Sequence, residues 1–360
     1  MSSRNSLCTE SNSQPNALKS PAPANVWVAQ SAAGMLFLDM KKNILLLLVS
    51  IAAAVLIVEA GARAIGLRSN NISMFSKPWA APHPTLGWKN RGGVYNSTEP
   101  GHVPMTFWND GRRANRSSEI KTAKTRVLLI GCSFTQGYGV RDNETFSFLL
   151  DKKYPGIVFD NYGTGGYGTV QSLLMAKLVF NTPPVPDLVI YGYTPAHEDR
   201  NVASASWASA LKDTEGKNIF SPHAVVTDGK VEFQPLSVIE PWPGERHSVL
   251  MAVLHKGWLR FALRKRPEQK HLVTQSVLTQ MRDFVVLKEK SRLLVAILVD
   301  DARLSLFMKE QGIEHVNCAH PSYGKGGGLS VGGVGHPNHI LHEYWAGCIS
   351  KWIDDTFIER

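Results

Sequence analysis

Val127-Leu128-Leu129-Ile130-Gly131-Cys132-Ser133-Phe134-Thr135-Gln136-Gly137 decides how the rest of this sequence is read. A short apolar run ends on a glycine and passes into Gly-x-Ser and a polar turn. A serine at the carboxyl end of a first parallel strand has its hydroxyl aimed into the crevice where open α/β sheets bind ligands. The glycine permits a tight backbone, and successive amides in such a turn can face an oxyanion. Serine alone is a weak nucleophile and needs a base. Gly-x-Ser is also what an ordinary strand-to-loop turn with a capping serine looks like, so its meaning depends on its surroundings.

Around that stretch the sequence alternates between strand and helix patterns. Residues 145–153 read as a helix, 157–161 as a second strand and 170–180 as a second helix. Residues 187–193 read as a third strand. In 274–290 the residues Val277, Leu278, Met281, Phe284 and Val285 repeat as a buried helical stripe. Residues 293–299 are strongly strand-like, 313–317 form a weaker strand, and 339–353 close as a helix. Such alternation predicts an α/β fold, an open parallel sheet with helices on both faces, over residues 121–358. An insertion at about 195–270 holds Ala224-Val225-Val226-Thr227 and Lys230-Val231-Glu232-Phe233 on either side of Asp228-Gly229, a hairpin signal. Insertions at strand ends of open sheets sit near ligand sites.

The base candidate stands in Gly335-His336-Pro337-Asn338-His339, just before the last helix. A turn rich in Gly and Pro can hold an imidazole rigidly at a sheet edge. A lone histidine is more often structural, and it is the pairing with a correctly placed serine that singles out His336.

The amino-terminal part is of another kind. Residues 1–39 are rich in Ser, Asn, Ala and Pro and are expected to be disordered, or to precede the true start at Met40-Lys41-Lys42. The apolar run Ile44–Val58 extends through Ala60-Gly61-Ala62 to Ile65, close to the roughly 20 residues that span a bilayer. Residues 40–66 therefore read as a transmembrane signal anchor, and Lys41 and Lys42 predict a cytoplasmic amino end with the body exported. A cleaved signal peptide and a buried soluble helix are the competing readings. Glu59 and Arg63, four apart, can pair on one face. Residues 67–120 hold too few apolar runs for a core of their own and are expected as short strands and turns packed on the main domain.

Composition narrows the function. With 360 residues, 43% of them hydrophobic and 19% charged, the chain can bury one good-sized core. The formal net charge of +9 comes without a long Lys/Arg stripe, a zinc-finger spacing or an RNP-like pattern, so nucleic acid is not an expected partner. The densest basic stretch, 260–270, reads as a solvated helix face ended by Pro267, or as a patch for anionic lipid or polysaccharide. Four cysteines occur, none in a CxxC pair, which argues against zinc and thioredoxin chemistry. No metal or other cofactor is expected. Cys318 and Cys348 can pair in an exported domain, but two buried free thiols are the expected state.

Taken together, these blocks resemble the SGNH/GDSL hydrolases, and more narrowly their bacterial membrane-anchored members, over roughly residues 56–355. The family's first block reads Gly-Asp-Ser-Phe-Thr followed by Gly, and Gly131-Cys132-Ser133-Phe134-Thr135-Gln136-Gly137 matches it with Ser133 at the nucleophile position. Asn161-Tyr162-Gly163-Thr164-Gly165-Gly166-Tyr167-Gly168-Thr169 is similar to the second block, with the Gly166 amide as oxyanion donor beside that of Ser133. His336-Pro337-Asn338 matches the end of the last block, Asp-x-His-Pro-Asn. Leu86-Gly87-Trp88 and Asn109-x-Gly111-x-Arg113 look like the segment that precedes the catalytic domain in anchored members. The resemblance implies a flavodoxin-like three-layer fold and ester hydrolysis.

The sequence departs from the family at three places. Cys132 replaces the acid of the first block. The third block, usually Gly-x-Asn-Asp, is Gly192-Tyr193-Thr194-Pro195-Ala196-His197, where His197 is the nearest oxyanion donor and a structural histidine the equal alternative; Asn201 is a weaker donor candidate. Val334 occupies the position of the triad aspartate, leaving Glu198, Asp199, Asp300 and Asp301 as acids that no motif places. The expected function is hydrolysis of O-acyl esters, on an acylated small molecule or an envelope or extracellular polysaccharide. O-acyl transfer by the same serine and a catalytically silent carbohydrate-binding or assembly protein are the alternatives.

Overall fold

The computed structural model describes residues 25–67, 77–97, 103–116, 123–211, 220–238, 240–245, 247–326, 328–332 and 335–358. The start expected to be unstructured lies outside them for residues 1–24, as does Val334. The chain divides into two compact units, Met1–Ile65 and Gly66–Arg360.

Among its described residues the first unit is one helix, α1 (Asn25–Ala64). Its segment Phe37–Ala64 is long and apolar enough to cross a membrane. The helix begins well before the start expected near Met40. Residues 25–39 include Ala, Gln, Met and Leu, good helix formers, and join the helix without an amphipathic period. Glu59 and Arg63 pair across one turn at 2.8 Å.

In the second unit the chain first makes two small antiparallel pairs, β1 (Ala80–His83) with β2 (Gly87–Asn90) and β3 (Gly93–Asn96) with β4 (Pro104–Phe107). Then come β5 (Thr125–Gly131), α2 (Ser133–Gln136), α3 (Phe146–Lys153), β6 (Ile157–Asn161), α4 (Thr169–Phe180) and β7 (Leu188–Tyr193). The insertion follows with α5 (Ala196–Asn201), α6 (Ala205–Leu211), the hairpin β8 (Phe220–Thr227) and β9 (Lys230–Val238), and α7 (Val249–Ala262). The chain ends with α8 (Arg266–Arg282), β10 (Arg292–Ile297), α9 (Ala302–Glu310), β11 (His315–Asn317) and α10 (His339–Trp352).

Five strands form one sheet in the order β11-β10-β7-β5-β6, and every neighbouring pair is parallel. Numbered along the sheet's own strands this is 2-1-3-4-5, the doubly wound order whose switch point lies beside the first strand. Side chains alternate across it. Leu128 and Ile130 of β5 face a core shared with α4, α8 and α9, whereas Val127 and Leu129 face one shared with α3 and α10. The fold is thus three layers, helices–sheet–helices. Strands buried on both faces read as unbroken apolar runs, which is why β5, β7 and β10 stand out in the sequence.

Pro267 does not end a helix. It sits in the first turn of α8, where a missing amide hydrogen costs nothing. The hairpin turn has Asp228 and Gly229 both at positive φ, 49° and 75°, as a two-residue turn matched to strand twist requires.

Cys318 and Cys348 are bonded as a disulfide with their Cα atoms 5.7 Å apart, not free thiols as expected. Spacing in sequence could not reveal this, because the contact is made by β11 leading directly against α10. Closing a 30-residue separation, the bond is expected to stabilise the chain by about 2–4 kcal/mol. Cys348→Ser should lower the urea midpoint accordingly under oxidising conditions. An unchanged midpoint would contradict a formed bond.

Candidate active site

Ser133 is the first residue of α2, directly after the carboxyl end of β5. Its neighbours in the sheet, β6 and β7, leave in opposite directions around the fold, so it stands at the switch point. The strand can turn so sharply because Gly131 has φ +151°, and a Cβ there would fall 2.2 Å from Thr135 Oγ1. Cys132 occupies the N-cap without a side-chain hydrogen bond, and the first amides of any helix lack intrahelical partners. Gly137 ends the turn in the left-handed conformation.

The turn is fixed from beneath by buried polar groups. Asn161 donates to the Thr135 carbonyl at 2.8 Å, and Gln136 donates to Asn90 Oδ1 at 2.7 Å. The guanidinium of Arg113, wholly buried, donates to the carbonyls of Gln136, Gly137 and Val140 and pairs with Asp142 at 2.8 Å. The loop carrying Gly166 docks on the same turn. Thr164 donates its amide to Gly131 O at 3.0 Å, and a Cβ on Gly163 would fall 2.4 Å from the amide nitrogen of Gln136. Gly166 itself has φ +82°. Trp88 Nε1 donates to Gly165 O at 2.8 Å, which ties the segment before the sheet to this loop.

His336 comes to the same place from the far end of the chain. Its Nε2 lies 3.1 Å from Ser133 Oγ, across 203 residues of sequence. That is the distance of a nucleophile–base hydrogen bond. The loop that carries it is clamped on both sides: Val331 donates its amide to His336 O, Asn338 donates its amide to Leu329 O, and the Tyr323 hydroxyl donates to Gly335 O. Asn338 also caps α10 by accepting from the Leu341 amide. The ring of Tyr138 meets the imidazole edge-on at 4.8 Å between centroids, and that of Phe134 at 5.9 Å. Sequence reasoning missed these two rings; both follow within five residues of Ser133, which is the only signal they give.

An acid behind His336 is absent among the described residues. Its Nδ1 is buried and has no hydrogen-bond partner there. Whatever the placement of Val334, a valine supplies no carboxylate. Each of the four acids considered from sequence is engaged elsewhere. Glu198 meets His271 at 2.6 Å and Arg303 at 2.9 Å, and Asp199 lies 3.6 Å from Lys270. Asp300 accepts from Asn317, and Asp301 caps α9 and accepts from Tyr193. Burial, helped by the charges of Arg200 and Lys77, pushes the His336 imidazole down to about 4. It is therefore neutral and able to accept a proton at neutral pH. The acid limb of any kcat/KM profile on a neutral ester should accordingly fall as the pH drops through about 4. A limb near the ordinary histidine value of about 6.5 would show instead that an acid supports the ring.

His197 lies in α5, wholly buried, with its Nδ1 2.6 Å from the Tyr191 hydroxyl and its ring 5.6 Å from that of Tyr193. Burial and Arg200 keep it neutral. The Tyr191 hydroxyl donates to Thr169 Oγ1 at 2.9 Å, so it links His197 to α4. The Nε2 of His197 is buried without a partner among the described residues. Asn201 is committed as well: its amide donates to Thr169 and Thr274, and its Oδ1 accepts from Val170.

No family model and no curated protein matches the chain. Solved structures similar to it include a member of the lipolytic protein G-D-S-L family from Veillonella parvula, 11% identical, covering 66% of this chain and 100% of that one with a TM-score of 0.37. Others are the esterase EstA from Pseudoalteromonas, at 12% identity, 64% and 100% coverage and a TM-score of 0.33, and AlinE4, an SGNH-hydrolase family esterase, at 14%, 66% and 99% and 0.34. The neighbours are of the G-D-S-L and SGNH kind. No function passes to this chain from likenesses of that size; Ser133 and His336 are read from their own surroundings.

Proposed function

We propose that the protein is a serine ester hydrolase acting on O-acyl groups. The observation that carries this reading is the 3.1 Å contact between Ser133 Oγ and His336 Nε2 at the switch point of a parallel sheet. Ser133 attacks the ester carbonyl as His336 takes its proton. The tetrahedral oxyanion is met by the amides of Ser133 and Gly166. Collapse expels the alcohol with the proton from His336, and water, deprotonated by the same imidazole, releases the acyl group. With no acid partner for His336 among the described residues, the imidazole still performs each transfer, at a lower rate than an oriented one. The substrate is an acylated small molecule or polysaccharide outside the cytoplasm. The basic pair Lys41-Lys42 directly before the apolar run Ile44–Val58 supports that location.

A serine-directed fluorophosphonate applied to the full chain tests the proposal. Labelling is expected, and it should vanish in Ser133→Ala. The buried Nδ1 of His336, without a partner among the described residues, favours a second reading, a catalytically silent binding protein on the same fold. Absence of labelling in the intact, folded chain would decide for that reading.

A further inference from the structure

We propose that α7 is a membrane-contact helix that lays its outward face on an anionic lipid surface. One side of α7 is fixed to the protein by Val249, His255 and Leu259. His255 is held firmly, with its Nδ1 2.6 Å from the buried carboxylate of Glu245 and its ring stacked on Trp242 at 4.8 Å. The opposite side is therefore set in orientation, and it is apolar. Leu254, Trp258 and Phe261 repeat at the four- and three-residue spacing of a single helical face. Val253 and Leu254 are each 49% exposed, Trp258 50% and Phe261 66%. An exposed stripe of this kind on an otherwise well-packed unit marks an interaction surface.

The charge beside it names the partner. Between Glu245 and Glu268 the sequence has six Lys or Arg residues and no Asp or Glu. Arg260, Arg264 and Lys265 are exposed at the carboxyl end of the stripe, and Lys256 is exposed on another side of the helix. The Arg264 guanidinium lies over the Phe261 ring at 4.5 Å, so a cation sits at the very edge of the apolar surface. Leu, Trp and Phe on one face with Lys and Arg alongside is the chemistry of a helix lying in the headgroup layer of a bilayer. The unbroken positive sign selects anionic headgroups over zwitterionic ones. The same chain carries a helix long and apolar enough to cross a membrane. A second copy of the chain would bring the same excess of cations and gains no such complementarity.

The test uses the full chain in nanodiscs with bromine-bearing acyl chains, made of phosphatidylcholine alone or with phosphatidylglycerol as about a quarter of the lipid. Bromine quenches only tryptophans that reach the acyl region. Quenching should be greater in the phosphatidylglycerol discs, and the extra component should be lost in Trp258→Phe. Arg260→Glu with Arg264→Glu should cut that component to about half or less. All three positions are exposed, so folding is not at stake. Equal quenching of the native and Trp258→Phe chains in both lipids would overturn the proposal. So would a dimer in detergent that Phe261→Glu dissociates, since a second copy would then cover the face.

Discussion

Ser133→Ala and His336→Ala should each lower ester turnover by roughly a thousandfold or more, and the double replacement should lose little beyond either one. The expectation rests on their shared hydrogen bond of 3.1 Å. A serine hydroxyl without its base, and a base without its hydroxyl, are equally unable to form the acyl-enzyme. Residues that act as one unit give such non-additive losses, and independent contributors give additive ones. Steady-state rates on a soluble aryl ester for the four chains provide the comparison. Additive losses would mean that the two side chains meet without sharing a step.

Arg113→Leu should destabilise the second unit by about 3–5 kcal/mol and disable the site with it. This guanidinium is wholly buried, and burial lowers its proton affinity despite Asp142. It remains charged because its hydrogens are all but consumed by Asp142 and by the carbonyls of Gln136, Gly137 and Val140. Those carbonyls belong to the turn that presents Ser133 and the loop after it. Leucine would fill part of the volume and leave the Gln136 and Val140 carbonyls without this donor, which is the costly case. Arg113→Lys keeps the charge but lacks the fork that reaches several carbonyls at once, so it should recover only part of the loss. Denaturant midpoints and activity should fall together. A change within about 0.5 kcal/mol would place Arg113 among ordinary surface substitutions, in conflict with its burial.

The parallel sheet was legible because strands covered on both faces must be continuously apolar, as Val127–Ile130 and Leu188–Tyr191 are. Their polar-ended boundaries then fall where helices begin. Ser133 was legible from its place at the end of such a strand, and His336 from a rigid turn ahead of the last helix together with the family's motif. What lies between them was not legible. Arg113 came from resemblance alone, since nothing in local periodicity tells a buried arginine from an exposed one. The rings of Tyr138 and Phe134 around the imidazole depend on how two loops cross in space. His197 drew attention by its place after β7, yet its surroundings, the Tyr191 hydroxyl and through it Thr169, come from two other elements. The disulfide escaped for the same reason: Cys318 and Cys348 are joined by topology, not by spacing. Helix α1 begins earlier than expected because helix propensity, without periodicity, was enough.

The central claim is that Ser133 itself carries the acyl group. Rapid acid quench of the full chain during turnover of an activated ester, followed by fragment mass analysis of the peptide that holds Cys132 and Ser133, tests it directly. One acyl group per chain is expected, on Ser133, with a yield that collapses in His336→Ala. Turnover with the acyl group on Cys132, or with no acyl-enzyme at all when hydrolysis is slowed, would contradict it.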